Sequence, residues 1–215
     1  MRAFITFEGI EGSGKTTQIQ LLSEKLDQSG VEHVLTREPG GTPAGNQIRR
    51  LLLDPANRDL NPLCELLLYQ AARAQHLACV IIPALAEGKL VLCDRYKDAT
   101  RAYQGKGRQL PEELVEKLNR VDLLALEPDL TLLFDLEPDE ALSRARQREG
   151  SEPSEQSRFE EEAMDFHQRV REAYRSLAAT YPQRIRVVDA SGTMEQVQER
   201  VLAVLKKNFP SMKFA

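Results

Sequence analysis

The sequence predicts an α/β fold in which a five-stranded, mostly parallel β-sheet carries helices on both faces. Short apolar or β-branched segments alternate with longer amphipathic segments along the whole chain, as in strands joined by helical crossovers. The 215 residues are enough to bury a sizeable core without metal or disulfide support. We find no repeat, linker or low-complexity tract, so residues 1–215 are predicted to form a single domain.

Five segments have the length and composition of strands. They are short, apolar or β-branched, and bounded by glycine, proline or charged residues. The predicted strands are Ala3–Phe7, Val31–Thr36, Lys89–Cys93, Leu130–Leu136 and Ile185–Val188. Because helical segments separate them, neighbouring strands are expected to run parallel.

Seven longer segments have apolar residues at helical spacing. The predicted helices are Thr16–Gln28, Pro43–Leu53, Pro62–Leu85, Pro111–Leu126, Asp139–Gln147, Phe159–Tyr181 and Met194–Phe209. Thr193 and either Asp139 or Pro138 are suitable residues for helix starts, and Gly30 for the end of the first helix. Pro83 has no amide hydrogen to donate and is expected to kink or end its helix near Ile81.

The charge balance excludes several classes of function. With 29 basic and 33 acidic residues the formal net charge is −4, whereas proteins that coat nucleic acid or bind anionic membranes need a basic excess. The longest apolar segment, Leu77–Ala86, is far shorter than the roughly 20 residues that cross a bilayer. Met1-Arg2 leads directly into a predicted strand rather than a signal peptide. We expect a soluble, cytoplasmic protein that binds neither nucleic acid nor membrane.

The cysteines also favour a reducing compartment. Cys64, Cys79 and Cys93 are odd in number, lie in apolar sequence and lack the spacing of a zinc site. They are therefore predicted to be buried free thiols.

Residues 9–16 match the pattern G-x-x-x-x-G-K-[ST] between a predicted strand and a predicted helix. The loop consists of Gly9, Ile10, Glu11, Gly12, Ser13, Gly14, Lys15 and Thr16, and Thr17 follows it. Glycines let successive backbone N–H groups point at phosphate oxygens, and the helix adds its positive N-terminal end. Lys15 can reach the outer phosphates, and the Thr16 hydroxyl can bind Mg²⁺. The pattern therefore predicts a site for a nucleoside triphosphate.

A carboxylate at the end of another strand is the second expected part of this site. Asp94 directly follows the predicted strand Lys89–Cys93, so it should lie at the same sheet edge as the loop. There Asp94 would bind on the magnesium side and Arg95 would clamp phosphate. Alone, an Asp-Arg pair after a strand is also typical of a helix cap or a surface ion pair.

Several segments together resemble the thymidylate kinases. They are Phe7–Thr17, Thr36–Thr42, Asp94–Tyr96 continuing to Ala102–Gly105, and Pro128–Thr131. The match covers essentially the whole chain, in family-like order and spacing. The resemblance implies a P-loop NTPase fold with a five-stranded parallel sheet, and a homodimer. It also implies transfer of the γ-phosphoryl group of ATP to dTMP, giving dTDP for dTTP biosynthesis.

The resemblance assigns phosphate and sugar contacts to individual residues. Arg95 would bridge the donor and acceptor phosphates, and Arg49 would contact the acceptor phosphate. The Glu38-Pro39 pair, which precedes Arg49 in the chain, is also expected at the substrate. Glu11 would lie near the sugar 3′-hydroxyl, although a solvated loop carboxylate is the alternative.

Further contacts are implied for the nucleoside. Tyr69 would stack on thymine and Arg73 would read it, and their four-residue spacing places both on one helical face. Without the resemblance, such a stripe more often belongs to a core. Tyr103 would pack under the deoxyribose, with Thr100 and Gln104 as flanking contacts.

An arginine-rich segment around residues 144–158 is predicted to form a lid. It resembles the bacterial type of thymidylate kinase that supplies a catalytic arginine from the lid, so Arg148 first and then Arg146 would join Lys15 and Arg95 in catalysis. Closure would exclude water and prevent ATP hydrolysis. The alternative is an exposed helix and a disordered loop whose arginines pair with neighbouring glutamates.

Two positions depart from the family pattern. Family members often have serine where this chain has Ala99, and aspartate where it has Ser157. The first change removes a possible substrate hydrogen bond, and the second weakens any assignment of how Arg158 is held.

No general base is expected, because a phosphate monoester with a second pKa near 6 is already largely dianionic at neutral pH. His33, His76 and His167 lie outside every motif and are expected to be ordinary surface or core residues. A kinase for another nucleoside monophosphate is one alternative. A deoxynucleoside kinase is another, with Glu38 or Glu11 as base. A nucleotide switch without activity is the third.

The expected dimer has one sequence observation beside the resemblance. The predicted helix Pro62–Leu85 has apolar residues on all sides, more than one core-facing stripe requires. Burial under a partner subunit would explain this pattern, and so would a fully buried helix.

Overall fold

The computed structural model describes residues 2–149, 158–159 and 162–212, with the side chains of Arg148 and Glu149 outside the description. Within these residues five strands form one sheet in the order β2-β3-β1-β4-β5, and every neighbouring pair is parallel. The strands are β1 (Ala3–Glu8), β2 (His33–Arg37), β3 (Leu90–Asp94), β4 (Leu130–Asp135) and β5 (Ile185–Asp189). The predicted fold class is confirmed, and the predicted strands match to within two residues at either end.

Helices connect the strands and cover both faces of the sheet. They are α1 (Lys15–Gln28), α2 (Pro43–Leu53), α3 (Pro62–His76), α4 (Ile82–Ala86), α5 (Lys97–Thr100), α6 (Glu112–Asn119), α7 (Pro138–Glu149), α8 (Met164–Thr180) and α9 (Met194–Asn208). Side chains of β1 alternate between two apolar clusters, with Ile5 and Phe7 on one face and Phe4 on the other. Side chains alternate in this way in every strand, and because both faces of the sheet are covered, all six residues of β1 are buried.

The expected effect of Pro83 appears as a change of helix type. Between α3 and α4 the chain remains helical but forms a π-helical turn over Leu77–Ile81. The proline ring would otherwise clash with the carbonyl of Cys79, four residues earlier, and a π turn relieves this contact. The helix therefore changes its hydrogen bonding where a kink or end was predicted.

The prediction missed the helix after β3. Apart from Tyr103, the residues of α5 and the following π-helical turn Arg101–Gly107 are polar or small, so they lack the apolar stripe of a surface helix. Lys97, Asp98 and Gln104 are nevertheless buried, because ion pairs and hydrogen bonds satisfy them. Hydropathy periodicity does not detect a helix that buries polar side chains.

Two predicted helices are shorter than expected. The segment Pro111–Leu126 is helical over α6 and then forms a short 3-10 turn at Asp122–Ala125, with Asp122 at a φ of 43°. The helix predicted from Phe159 begins only at Met164, because residues 158–159 form a turn.

The prediction of three buried thiols was wrong for two of them. Cys93 is buried, but Cys64 and Cys79 are exposed. Their apolar sequence surroundings were misleading, since Leu63 and Leu67 on α3 are also 42% and 49% exposed. The helix is thus not fully buried within one chain. Within the described residues, no helix is long and apolar enough to cross a membrane.

Candidate active site

The loop between β1 and α1 has a backbone that requires glycine. Gly9, Gly12 and Gly14 have φ values of 140°, 73° and 85°. A Cβ on Gly12 would lie 1.8 Å from the carbonyl oxygen of Ala141, so that position has no room for a side chain. Among the described residues no side chain caps α1, which leaves its first N–H groups available to an anion.

Lys15 lies over this loop. It is buried, and its Nζ donates to the Ile10 carbonyl at 2.8 Å and the Ser13 Oγ at 3.3 Å. Burial, followed by the nearby charge of Arg95, lowers the pKa of Lys15 to about 8. Added negative charge at the loop would raise the pKa again and favour the ammonium form.

Thr16 and Asp94 meet at the carboxyl edge of the sheet, as predicted. The Thr16 hydroxyl donates to Asp94 Oδ2 at 2.9 Å. The other carboxylate oxygen, Oδ1, is buried without a hydrogen-bond partner in the part of the chain that the structure describes. A hydroxyl and a carboxylate with a vacant acceptor are ligands suited to Mg²⁺, which takes oxygen ligands and retains several waters.

Arg95 joins the loop to the next pocket. Its backbone is left-handed, with a φ of 68°. Its guanidinium donates to the Gly9 carbonyl at 2.9 Å and to Glu11 Oε2 at 2.6 Å, and lies 4.9 Å from the centre of the Tyr103 ring. The positive charge of Arg95 is thereby held between the loop and the ring of Tyr103.

A deep cavity adjoins Arg95. It is lined by Glu11, Glu38, Pro39, Arg49, Leu53, Tyr69, Arg73, Arg95, Tyr96, Ala99, Tyr103, Gln104 and Phe159. Nine of the ten residues expected at a substrate therefore surround one cavity. The tenth, Thr100, instead accepts a hydrogen bond from Arg73 Nη2 at 2.8 Å. Phe159 was missed, because its role depends on a turn that brings it against Tyr103, with ring centroids 5.6 Å apart.

A junction cleft connects the deep cavity with the loop. Its lining residues are Glu11, Gly12, Gly14, Lys15, Thr16, Thr17, Arg37, Glu38, Arg49, Asp94 and Arg95. Glu11, Glu38, Arg49 and Arg95 line both spaces. The cleft thus gathers cations where two anionic groups could meet. Arg37, at the end of β2, is a cation that the sequence analysis did not select.

A second cavity lies beside the loop near the end of β5. It is lined by Gly12, Ser13, Gly14, Thr17, Gln18, Arg144, Ala190, Gly192, Thr193, Met194 and Val197. Arg144 donates to the Ala190 carbonyl at 3.1 Å. The sequence analysis did not predict that the residues after β5 line a cavity. A Gly-containing loop after a strand of this sheet was a usable signal for one.

Glu8 is a buried acid that the sequence analysis also passed over. Its carboxylate accepts from the backbone N–H groups of Tyr96 at 2.8 Å and Ala99 at 3.2 Å, and from the Tyr174 hydroxyl at 2.7 Å. Burial raises its pKa to about 7. Glu8 therefore holds the turn that carries Arg95. A charged residue at the end of an apolar strand was the signal.

The predicted lid is described in part. Residues 144–149 continue α7, and residues 150–157 lie outside the described residues, as does the side chain of Arg148. Arg146 is exposed beside Met164, on a surface separate from the deep cavity. Arg158 is buried and pairs with Glu65 at 2.8 Å. The structure therefore brings Lys15 and Arg95 together but places Arg146 apart from them.

Comparisons with known proteins agree with this geometry. Residues 7–201 match the family model described as thymidylate kinase. The chain is 53% identical to the thymidylate kinase of Pelobacter propionicus, over 97% of this chain and 95% of the relative. It is 52% identical to that of Desulforapulum autotrophicum, over 95% and 91%. A crystal structure of thymidylate kinase from Ehrlichia chaffeensis superposes with a TM-score of 0.75 at 36% identity, covering 95% of this chain and 98% of that one.

Proposed function

The chain belongs to the thymidylate kinase family, and from this premise we propose how its residues phosphorylate dTMP to dTDP with ATP as the donor. One observation carries the proposal. Two separate cavities, one on each side of the phosphate loop, meet at a cleft that contains Lys15, Arg49 and Arg95. This arrangement suits two nucleotides whose phosphates face each other. We further propose that the whole chain acts as one kinase domain.

ATP would bind with its phosphates over the loop. Backbone N–H groups of residues 9–17 and the N-terminal end of α1 would surround the phosphates, and Lys15 would contact the outer ones. The adenine would occupy the second cavity, where Arg144 and Val197 form part of the wall. We propose that Thr16 and Asp94 hold Mg²⁺, which neutralises phosphate charge when bound.

The acceptor dTMP would occupy the deep cavity. Arg49 and Arg95 lie at its junction with the loop and would hold the acceptor phosphate. Glu11, paired with Arg95, would contact the 3′-hydroxyl.

Aromatic and polar side chains would hold the nucleoside. Tyr69 would stack on the base and Tyr103 would pack under the sugar, with Gln104 beside it. Arg73 would donate to the base edge, and Thr100 would support Arg73 from behind.

Catalysis would then rest on positioning and charge. The acceptor oxygen is already ionised, so the in-line transfer needs cations at the equatorial oxygens rather than a base. Lys15 and Arg95, which both line the junction cleft, would supply these cations. We also propose that lid arginines Arg148 and Arg146 contribute once both substrates are bound.

The contacts of the two acids argue against a nucleoside acceptor. A hydroxyl acceptor would need a general base. Glu38 accepts from Arg73 at 2.7 Å and contacts His76 at 3.0 Å, while Glu11 is paired with Arg95. Both carboxylates already accept from these cationic or ring N–H groups, which would compete with a hydroxyl acceptor for their oxygens.

Comparison of dTMP, dUMP, dCMP and thymidine as acceptors tests this function, with ADP release as the measurement. We expect dTMP to be phosphorylated fastest and thymidine to be inert. Equal or faster turnover of thymidine would contradict the proposal. ATP binding without acceptor-dependent ADP release would instead indicate a nucleotide switch.

We also propose a cytoplasmic homodimer. The exposed apolar residues Leu51, Leu63 and Leu67 on the adjacent helices α2 and α3 support a covering subunit, and the exposed thiols of Cys64 and Cys79 suit a reducing compartment. Sedimentation at micromolar concentration should give twice the chain mass of 24.3 kDa. A species of chain mass would contradict the dimer, and Leu67→Glu should produce one.

A further inference from the structure

Nearly all the N–H donors of the Arg73 guanidinium are hydrogen-bonded to other side chains of the protein. Arg73 is 1% exposed and has five N–H donors. Nε donates to Glu38 at 2.7 Å, Nη1 donates to Gln70 at 3.3 Å and to Asn119 at 3.4 Å, and Nη2 donates to Thr100 at 2.8 Å. One N–H of Nη2 has no acceptor among the described residues. Because Arg73 lines the deep cavity, this donor is available to a bound molecule.

Glu38 is one of the four side chains that accept from the guanidinium, and His76 contacts Glu38 in turn. One carboxylate oxygen of Glu38 accepts from Arg73, and the other lies 3.0 Å from His76 Nδ1. A carboxylate only accepts, so His76 Nδ1 must carry the hydrogen of this bond. Both oxygens of the carboxylate are therefore occupied, and rotation of Glu38 would break one of the two bonds.

The ring of His76 is itself immobilised. His76 is fully buried, and its Nε2 lies 2.6 Å from the Thr36 hydroxyl, so both ring nitrogens have partners. Gly41 packs directly on the ring, since a Cβ there would lie 2.5 Å from two ring atoms. The imidazole does not line the deep cavity or the junction cleft, so it would not contact a substrate bound there.

We propose that His76 is a positioning residue for base recognition: by fixing Glu38 it orients Arg73, so that a single N–H donor selects bases with an acceptor oxygen over bases with an amine. The inference deepens the proposed function and rests on the deep cavity being the acceptor site. A cytosine amine would face the Arg73 donor with a second donor, leaving a buried N–H unpaired, whereas the O4 of uracil or thymine accepts it.

The test compares dUMP with dCMP, which differ in the base edge but not in the phosphate or sugar. His76→Ala should lower the ratio of kcat/KM for dUMP over dCMP about tenfold, the effect of a lost hydrogen bond to a charged group. The change should appear in the KM for dUMP, with kcat altered less than twofold.

Conservative variants sharpen the comparison. The amide nitrogen of asparagine lies near the position of Nδ1, so His76→Asn should restore much of the discrimination by donating to Glu38. The amide of glutamine reaches toward the Nε2 position instead, so His76→Gln should behave like His76→Ala. The matched control is His33→Gln, since the His33 side chain is 7% exposed and hydrogen-bonded at both ring nitrogens, to Ser23 and Val31. It should leave the ratio unchanged.

Three outcomes would overturn the inference. Equal losses in kcat/KM for dUMP and dCMP, following the loss of thermal stability, would indicate a purely structural role. An unchanged ratio in soluble, folded His76→Gln would do the same. So would a ratio in His76→Asn that is no higher than the ratio in His76→Gln.

The variant Arg73→Lys separates this inference from the proposed function. If Arg73→Lys retains the wild-type ratio, the base contact assigned to Arg73 is wrong; if it loses the ratio while the His76 variants keep it, only the role of His76 is wrong.

Discussion

The proposed active site has a donor side and an acceptor side, which are built in different ways. The donor side is a loop of consecutive residues whose backbone conformation makes the phosphate site, with glycines where a Cβ would clash. The acceptor side is a cavity lined by side chains that lie far apart in sequence, from Glu11 to Phe159. The triphosphate that the donor side would bind is always the same group, so backbone N–H groups suffice to bind it. Discrimination among bases requires oriented side chains, and these need buried partners such as Glu38.

Removing the loop cation should have the largest effect and should act on every acceptor alike. Lys15→Met is expected to lower kcat by on the order of 10²–10³, as loss of a transition-state contact does. The factor should be the same for dTMP and dUMP. Lys25→Met, a half-buried lysine on the same helix, is the control. A change in the ratio of kcat for dTMP to kcat for dUMP would show that Lys15 also distinguishes between acceptors, against the separation of the two sides.

The pH dependence of stability tests how strongly the fold depends on the buried acid Glu8, which holds the turn that carries Arg95. Its pKa is raised from 4.5 to about 7, so the folded protein retains a proton that the unfolded chain loses between these pH values. Stability from neutral Glu8 is therefore complete below pH 4.5 and is lost as the pH rises through 7. The free energy of unfolding should fall by about 3 kcal/mol over this range.

Glu8→Gln should remove most of this pH dependence, measured by urea unfolding at several pH values. Glu112→Gln is the control, because the Glu112 side chain is 76% exposed. An identical pH dependence in wild type and Glu8→Gln would show that other groups cause it.

Glycine substitutions sharpen the description of the donor loop. Gly12→Ala should weaken ATP binding by roughly 10–100-fold, since its Cβ would overlap the Ala141 carbonyl and its φ of 73° is strained for alanine. At Gly14, with a φ of 85°, a Cβ meets no described atom within 4 Å. Gly14→Ala should therefore cost less, and isothermal titration with ATP measures both. Equal losses would mean that the left-handed backbone, rather than the overlap, matters.

The smallest expected effect is the pH dependence of ATP binding. Lys15 has a pKa lowered to about 8, and bound phosphates would raise it, so ATP binding takes up a proton above pH 8. The Kd for ATP should rise about tenfold per pH unit above 8. Binding isotherms between pH 7 and 9 measure this, and Lys15→Arg should give a flat profile. A flat wild-type profile would indicate that Lys15 remains charged.

The sequence alone determined the features that depend on neighbouring residues. Strands β1 to β5, the parallel sheet and the phosphate loop follow from local hydropathy, crossover length and glycine spacing. Resemblance to a family then identified nine residues that the fold gathers around one cavity. Each of these signals is contained in a short window of sequence or in the order of such windows.

Tertiary structure alone decided how polar groups are buried. The helix at Lys97–Gly107 escaped detection because ion pairs, rather than apolar periodicity, stabilise it. Exposure of Cys64 and the contacts of Glu8 and His76 depend on which distant elements pack against them. A side chain's burial and hydrogen-bond partners are properties of long-range contacts. The sequence therefore indicated which residues line the proposed site, while the packing of the sheet and helices decided which of them hold the others in place.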